Sequence, residues 1–156
     1  MMVMVDLDTE YRAHAADLVR YATVLVGPHD ANDVVNEAVA ATIARGSLAG
    51  VDDVRGYWFR AVTNTAASWH RSSIRRRRRE DRVARRDLMV VTDADADDAR
   101  QVLRVLSVQQ RAVMYLTYWH DWDPARIAAA LGVADGTVRK QLARGREQLR
   151  EALRHD

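Results

Sequence analysis

The sequence predicts an all-α protein in which two small helical domains are joined by a flexible linker. Three observations support this fold class. Apolar residues recur at intervals of three and four over most of the 156 residues, which is the spacing of an amphipathic helix. Only two prolines interrupt the chain, and no strand-like alternation extends over a useful length. A run of five arginines and a weakly periodic stretch after it divide the chain. We therefore expect domains at 1–80 and 96–156 and a linker at 81–95.

Three helices are predicted in the N-terminal domain. The first covers residues 8–26 and ends at a Gly-Pro dipeptide. Asp30 is a candidate N-cap for the second, because apolar residues follow it at helical spacing. The third helix is longer. It begins at Asp52 or Asp53 and continues into the arginine run.

A fourth helix, which carries Val102, Leu103, Val105 and Leu106, is predicted near the start of the C-terminal domain. Ser107 and Gln110 then have the spacing of a capping box, in which each side chain bonds the backbone N–H of the other residue. The box predicts a further helix that runs to about Trp119. Trp119 and Trp122 are expected to pack inside the domain.

The most specific motif is a helix-turn-helix at residues 123–142. Asp123 is a candidate cap, Pro124 suits the first helical position, and Gly132 permits the sharp turn. A short second helix follows and fits a DNA major groove, where its polar and cationic side chains can contact bases and phosphates. These candidate DNA contacts are Thr137, Arg139, Lys140, Gln141 and Arg144.

Composition narrows the possible functions. The formal charge is only +2, but all of the 24 cationic side chains except Lys140 are arginine, and the pI is about 9.3. Clustered arginine indicates basic working surfaces. Cysteine is absent, the five histidines are scattered, and neither a phosphate-binding glycine loop nor a nucleophile elbow occurs. We therefore expect no enzymatic activity, cofactor, metal or small-molecule substrate.

The sequence also bears on location. No apolar run approaches the length that spans a bilayer, and the first residues lack the basic start of a secretion signal. We expect no membrane insertion and a cytoplasmic location.

Four short stretches occur in the order and spacing of one protein family. They are Asp33–Ala38, Tyr57–Ala66, Gln110–Val113 and Gly136–Arg139. On these stretches the chain resembles the extracytoplasmic-function (ECF) group of bacterial sigma factors, within the sigma-70 family. Residues 30–79 resemble the second conserved region of that family, and residues 103–153 resemble its fourth.

This resemblance implies a sigma factor that binds core RNA polymerase and directs promoter-specific initiation of transcription. The first domain would bind the polymerase and would recognise and melt the −10 element. The second would bind the −35 element as duplex. The implied partners are core RNA polymerase, promoter DNA and an anti-sigma regulator, although no residue identifies the last of these.

The resemblance places a polymerase-binding stripe on the second helix, at Asp33, Asn36 and Glu37. Carboxylates beside an apolar stripe suit basic side chains of a partner. Alternatively, the stripe is a solvated helix face.

The third helix carries the implied −10 contacts. Asn64 matches a position that helps to hold a flipped base, and an amide has the donors and acceptors that a base edge requires. Alternatively, Asn64 points into solvent. The aromatic residues at 57–59 can stack on bases, but at least two of the three are expected to be buried. The candidate −10 contacts are Trp58, Arg60, Asn64, Arg71, Arg75 and Arg76.

The candidate −35 contacts divide into two kinds under the resemblance. Arg139 matches a phosphate contact. Lys140, Gln141 and Arg144 occupy base-reading turns, and arginine and glutamine can bind guanine and adenine through paired hydrogen bonds. One departure lies nearby, because Arg126 stands where the family commonly has glutamate.

Two other functions remain open on the sequence alone. A stand-alone helix-turn-helix regulator would bind duplex sites without polymerase, as a dimer on paired half-sites. A partner-sequestering protein would bind polymerase or a sigma inhibitor without supporting transcription.

Overall fold

The computed structural model describes residues 7–46, 48, 50–80 and 102–154, and of residues 73–80 it describes the backbone only. Within these ranges the chain is helical and contains no strand, which confirms the all-α prediction. The predicted linker at 81–95 lies outside the described residues. The helices are α1 (Leu7–Val26), α2 (Ala31–Arg45), α3 (Val54–Glu80), α4 (Val108–Tyr118), α5 (Pro124–Leu131) and α6 (Asp135–Arg154).

Local sequence signals account for several helix starts. The capping box of α4 is confirmed, because Gln110 N–H donates to Ser107 Oγ (3.1 Å) and Ser107 N–H donates to Gln110 Oε1 (2.9 Å). Asp53 begins α3, where its Oδ1 accepts a hydrogen bond from Gly56 N–H at 3.0 Å. Asp30 does precede α2, but its side chain makes no capping bond, so that part of the prediction is wrong.

One C-terminal element differs from the prediction, and another is described only in part. Residues 102 and 103 are helical and a turn follows at 104–106, whereas residues 96–101 of the predicted domain lie outside the described residues. The second helix of the helix-turn-helix is long, because α6 has 20 residues. Its stripe of Val138, Leu142 and Gly145 is buried, and strong helix formers extend the helix beyond it. Gly145 packs beside Met114 of α4, where an added Cβ would lie in ordinary van der Waals contact at 3.5 Å.

One apolar core runs through the described chain and includes residues of both predicted domains. None of the described helices combines the length and apolarity needed to cross a bilayer. The largest fully buried side chains of the core are Trp58, Tyr21, Phe59, Leu18, Leu25, Leu116 and Ile127.

The two predicted domains meet where α1 and α3 pack against α4, α5 and the loop between them. We call this interface the seam. Its aromatic contacts are nearly all tilted or edge-on, with Tyr21 and Tyr115 at 5.2 Å and Phe59 and Trp122 at 5.6 Å between ring centroids. The residues that line the seam are Tyr21, Leu25, Arg55, Gly56, Phe59 and Arg60 on one side and Arg111, Tyr115, His120, Trp122, Ala130 and Gly132 on the other.

Candidate nucleic-acid interface

The helix-turn-helix has the geometry that its sequence predicts. Asp123 caps α5, with its Oδ1 accepting from Arg126 N–H at 2.8 Å, and Pro124 occupies the first turn. Gly132 ends α5 at φ +70°, a left-handed conformation that favours glycine. The turn therefore fixes the angle at which α6 leaves the domain surface.

The five residues predicted to contact −35 DNA all lie in the first half of α6. Arg139, Lys140 and Arg144 are exposed, and none of the three pairs with a carboxylate of a described residue. Thr137 and Gln141 are half-buried, and Gln141 Nε2 donates to Gln109 Oε1 at 3.2 Å. At about 100° per residue, Thr137, Lys140, Gln141 and Arg144 fall within about 100° of one another around α6, whereas Arg139 lies about 150° from the centre of that face. The shared face suits base contacts, and Arg139 stands apart from it.

The exposed candidates for −10 contact lie along one side of α3. Arg60, Asn64 and Arg71 are exposed and fall within about 40° of one another around the helix. Arg75 continues this line and Arg76 departs from it, in both cases by backbone position, because their side chains lie outside the described set. Asn64 thus stands among cations on a surface that solvent reaches.

The burial of Trp58 contradicts its prediction as a −10 contact. Its side chain is 1% exposed and packs at 6.1 Å from the ring of Tyr11, so it has no face to offer a base in this structure. The reason is helical geometry, since Trp58 lies about 160° around α3 from Arg60. Phe59 is also buried and Tyr57 is half-buried, so at least two of the three aromatic residues are in the core, as expected.

The predicted polymerase-binding residues Asp33, Asn36 and Glu37 are exposed on one face of α2. Glu37 also makes a contact within the chain that the sequence did not indicate. Its Oε2 accepts a hydrogen bond from the indole N–H of Trp69 on α3. This bond ties the face of α2 to the helix that carries Asn64.

A polar cluster at the seam was missed by the sequence interpretation. Asp17 of α1, Arg55 of α3 and His120 after α4 meet there: Arg55 lies 3.0 Å from Asp17 Oδ2 and 2.9 Å from His120 Nδ1. His120 Nε2 lies 3.2 Å from Asp17 Oδ1. Burial lowers the pKa of His120, and the neighbouring Arg55 adds to this effect against the opposing influence of Asp17. No spacing pattern reveals the cluster, because its members are far apart in sequence.

Tyr115 borders the same cluster. Burial and the charge of Asp17 raise its pKa to about 12, so it remains a neutral phenol at physiological pH. Its ring stacks at 6.0 Å from that of Trp119, and the side chain of Arg20 lies over Trp119. Trp119 is 60% exposed, so the expectation that it packs inside the domain is wrong, whereas Trp122 is buried as predicted.

Arg126, which departs from the family pattern, has a clear contact. Its guanidinium lies 4.2 Å from the ring centroid of Trp122, over the indole face. The Arg126 side chain therefore covers an aromatic residue of the seam.

Comparison with known proteins agrees with this geometry. The family model described as Sigma-70, region 4 matches residues 96–149. The RNA polymerase sigma-E factor of Streptomyces coelicolor is 31% identical over 156 residues, covering 96% of this chain and 87% of the relative. The ECF RNA polymerase sigma factor SigL of Mycobacterium tuberculosis is 32% identical over 154 residues, covering 85% and 80%. The chain belongs to the ECF sigma factors.

Solved structures share the fold. The sigma factor RpoE of Bartonella quintana, in complex with the anti-sigma factor NepR, matches with a TM-score of 0.74 at 24% identity over 97% of this chain and 98% of that one. CnrH in complex with the cytosolic domain of CnrY matches with a TM-score of 0.69 at 20% identity, over 96% and 88%.

Membership settles the general function. The chain is an RNA polymerase sigma factor, which means that it is a transcription initiation factor without enzymatic activity of its own. The family assignment supports this function over that of a stand-alone helix-turn-helix regulator.

Proposed function

We propose that three faces of this sigma factor divide the work of initiation. Asp33, Asn36 and Glu37 on α2 bind core polymerase, α3 contacts the −10 element, and α6 contacts the −35 duplex. The predicted domains at 1–80 and 96–156 carry these faces, and the linker at 81–95 connects them.

One observation carries the assignment for α3. Arg60, Asn64 and Arg71 share an exposed side of the helix, so an amide that can hold a base stands among cations that can neutralise phosphates. The exposed cations of α6 support the −35 assignment in the same way, because none of the described carboxylates pairs with them and would have to be displaced by a phosphate.

Asn64→Ala tests the −10 assignment in a reconstituted holoenzyme. Removing the amide should slow promoter opening by about tenfold, the equivalent of one good base contact, and should leave the affinity for core polymerase unchanged. Fluorescence of a base analogue in the −10 element reports opening, and a polymerase pull-down reports binding.

His70→Ala is the matched control, because His70 is exposed on α3 about 120° around the helix from Asn64. It should open promoters at the parental rate. An unchanged opening rate in Asn64→Ala would remove Asn64 from the −10 site, and equal losses in both variants would point to a general defect of α3.

We further propose that an anti-sigma protein regulates this chain and that the chain acts in the cytoplasm, together with RNA polymerase. Support for the regulator comes from the similar structure of the sigma factor RpoE of Bartonella quintana, which is a complex with the anti-sigma factor NepR. Co-purification of the chain from its host with a protein that blocks its transcription in vitro tests the regulator.

A further inference from the structure

One hydrogen bond joins the proposed polymerase-binding face of α2 to α3. Glu37 Oε2 accepts it from the indole N–H of Trp69, although the two residues are 32 positions apart in the sequence. Glu37 is exposed, whereas Trp69 is half-buried. The bond therefore lies at the rim of the core, where a partner protein can reach the carboxylate.

Helical geometry explains why these two side chains meet. On α3, Trp69 falls within about 20° of the buried Trp58 and Val62 around the helix, so it continues their stripe. It packs against the core where that stripe reaches the surface. Of the three polymerase-binding candidates on α2, Glu37 lies closest to the buried Val34, at about 60° around the helix. The end of one buried stripe therefore meets the edge of the other.

The hydrogen bond suits the chemistry of both groups. An indole N–H can only donate, and a tryptophan that is partly covered by apolar side chains needs an acceptor for it. A carboxylate has two oxygens and about four acceptor sites, so one indole N–H occupies only a part of its capacity. Because the indole is neutral, Glu37 also keeps its full negative charge for a cation.

The bond orders a side chain that would otherwise be flexible. A solvated glutamate samples many rotamers, and fixing it in one of them costs free energy when a partner binds. The indole of Trp69 fixes the Glu37 carboxylate in the free chain, because α2 and α3 are already packed together. A partner that binds this face therefore meets a carboxylate that is already oriented.

We propose that Trp69 is a positioning residue of the polymerase-binding face, whose indole N–H orients the Glu37 carboxylate toward a basic side chain of core polymerase. Trp69 acts through Glu37 and not through DNA, since it lies about 140° around α3 from Asn64. This inference rests on the proposed role of Glu37 in polymerase binding.

A double-mutant cycle on the full chain tests the proposal. Trp69→Phe keeps an aromatic ring at the rim of the core but removes the N–H donor. Its dissociation constant for core polymerase should rise by about two- to tenfold, which is the range expected for ordering one flexible side chain. In the Glu37→Ala background, the same change should have no further effect, because no carboxylate remains to be oriented.

The Asn36→Ala background is the matched control. Asn36 lies on the same exposed face of α2 but is not the acceptor of the Trp69 bond, so Trp69→Phe should there have its full effect. Equal effects of Trp69→Phe with and without Glu37 would overturn the proposal, as would parental affinity in Trp69→Phe alone. Parental affinity in Glu37→Ala would instead refute the proposed polymerase role of Glu37, on which the inference rests.

Promoter opening separates positioning from damage to α3. When the chain saturates core polymerase, the Trp69→Phe holoenzyme should open a promoter at the parental rate, because the substituted ring is remote from Asn64. A base analogue in the −10 element reports this rate. Slower opening at saturation would mean that Trp69 acts at the −10 site, and this would overturn the proposal.

A further measurement on the free chain does not depend on polymerase. The four tryptophans give four indole N–H resonances, and the one that disappears in Trp69→Phe belongs to Trp69. This resonance should move in Glu37→Ala and should keep its position in Asn36→Ala. An unmoved resonance in Glu37→Ala, or equal movement in the two variants, would show that Glu37 is not the acceptor and would overturn the proposal.

Discussion

The recognition face of α6 and the exposed side of α3 are built by different means. On α6, a cap, a glycine turn and an apolar stripe lie within 32 consecutive residues, and the face they present meets α4 through the hydrogen bond from Gln141 to Gln109. On α3, one exposed arginine lies against the helix-turn-helix of the other half, and the neighbouring Phe59 is buried in the seam. The first face is therefore a property of a local motif, whereas the second depends on how the two halves pack.

The largest effect expected from this difference concerns the buried side of α3. Trp58→Ala should lower the free energy of unfolding by about 3–5 kcal/mol, because it removes a fully buried aromatic ring from the shared core. Chemical denaturation followed by circular dichroism measures the change. Trp119→Ala is the matched control, since that ring is 60% exposed and its loss should cost about 1 kcal/mol or less. Similar losses in the two variants would contradict the burial of Trp58.

The turn of the helix-turn-helix should show the next largest effect. Gly132→Ala places a Cβ at φ +70° and against the Arg60 guanidinium, so it should cost about 1–3 kcal/mol of stability. Gly136→Ala is its control, because nothing lies within 4 Å of a Cβ there and alanine favours a helix, so it should stabilise by about 0.5–1 kcal/mol. A neutral Gly132→Ala would contradict the left-handed conformation of this turn.

The same contrast explains what the sequence reveals. Short-range chemistry made the capping box at Ser107 and the turn at Gly132 predictable, because their partners lie within a few residues. Periodicity around α3 separates Trp58 from Arg60, so the burial of that tryptophan was within reach of a helical projection.

The seam was beyond such reasoning. Asp17 and His120 are separated by 103 positions, and their contact follows from tertiary packing of α1 on the loop after α4. The exposure of Trp119 likewise depends on tertiary packing, because Trp122 and not Trp119 packs inward from this loop. No spacing pattern encodes either outcome, because both depend on the relative placement of the two halves.

The recognition face offers a third, moderate effect. Arg144→Ala should weaken binding to a −35 duplex by about 1–3 kcal/mol if Arg144 contacts a base. Arg150→Ala, an exposed arginine about 120° further around α6, should leave the affinity nearly unchanged. Fluorescence anisotropy at fixed salt measures both. Equal losses in the two variants would mean that the effect follows from the total charge of the helix and that Arg144 makes no base contact.

The smallest expected effect is a dependence of the seam on pH. Burial holds the pKa of His120 below its ordinary value. A chain in which the two sides of the seam have separated therefore binds a proton more readily than one in which they are packed together. The contribution of His120 to the packing of the seam is therefore complete above about pH 6.5, the ordinary histidine pKa. It declines as the pH falls from there toward the lowered pKa of the packed form. The charged and titratable groups around this ring or its groove are Asp17, His14 and Arg20 of α1, Arg55 of α3, Tyr115 of α4 and Arg126 of α5.

Spin labels at Ala41→Cys and Ala143→Cys, exposed positions in the two halves of the chain, can measure this dependence between pH 7.5 and about pH 5.5, a window set by the ordinary histidine pKa. In the parental chain, the fraction of molecules with a long distance between the labels should grow on acidification. His120→Asn retains a side-chain oxygen that can accept from Arg55 but does not titrate, so its population should not respond to pH. His14→Asn is the matched control, because His14 lies beside the same groove but pairs with Glu10, and it should keep the parental response. A response to pH that persists in His120→Asn would show that the seam does not depend on neutral His120.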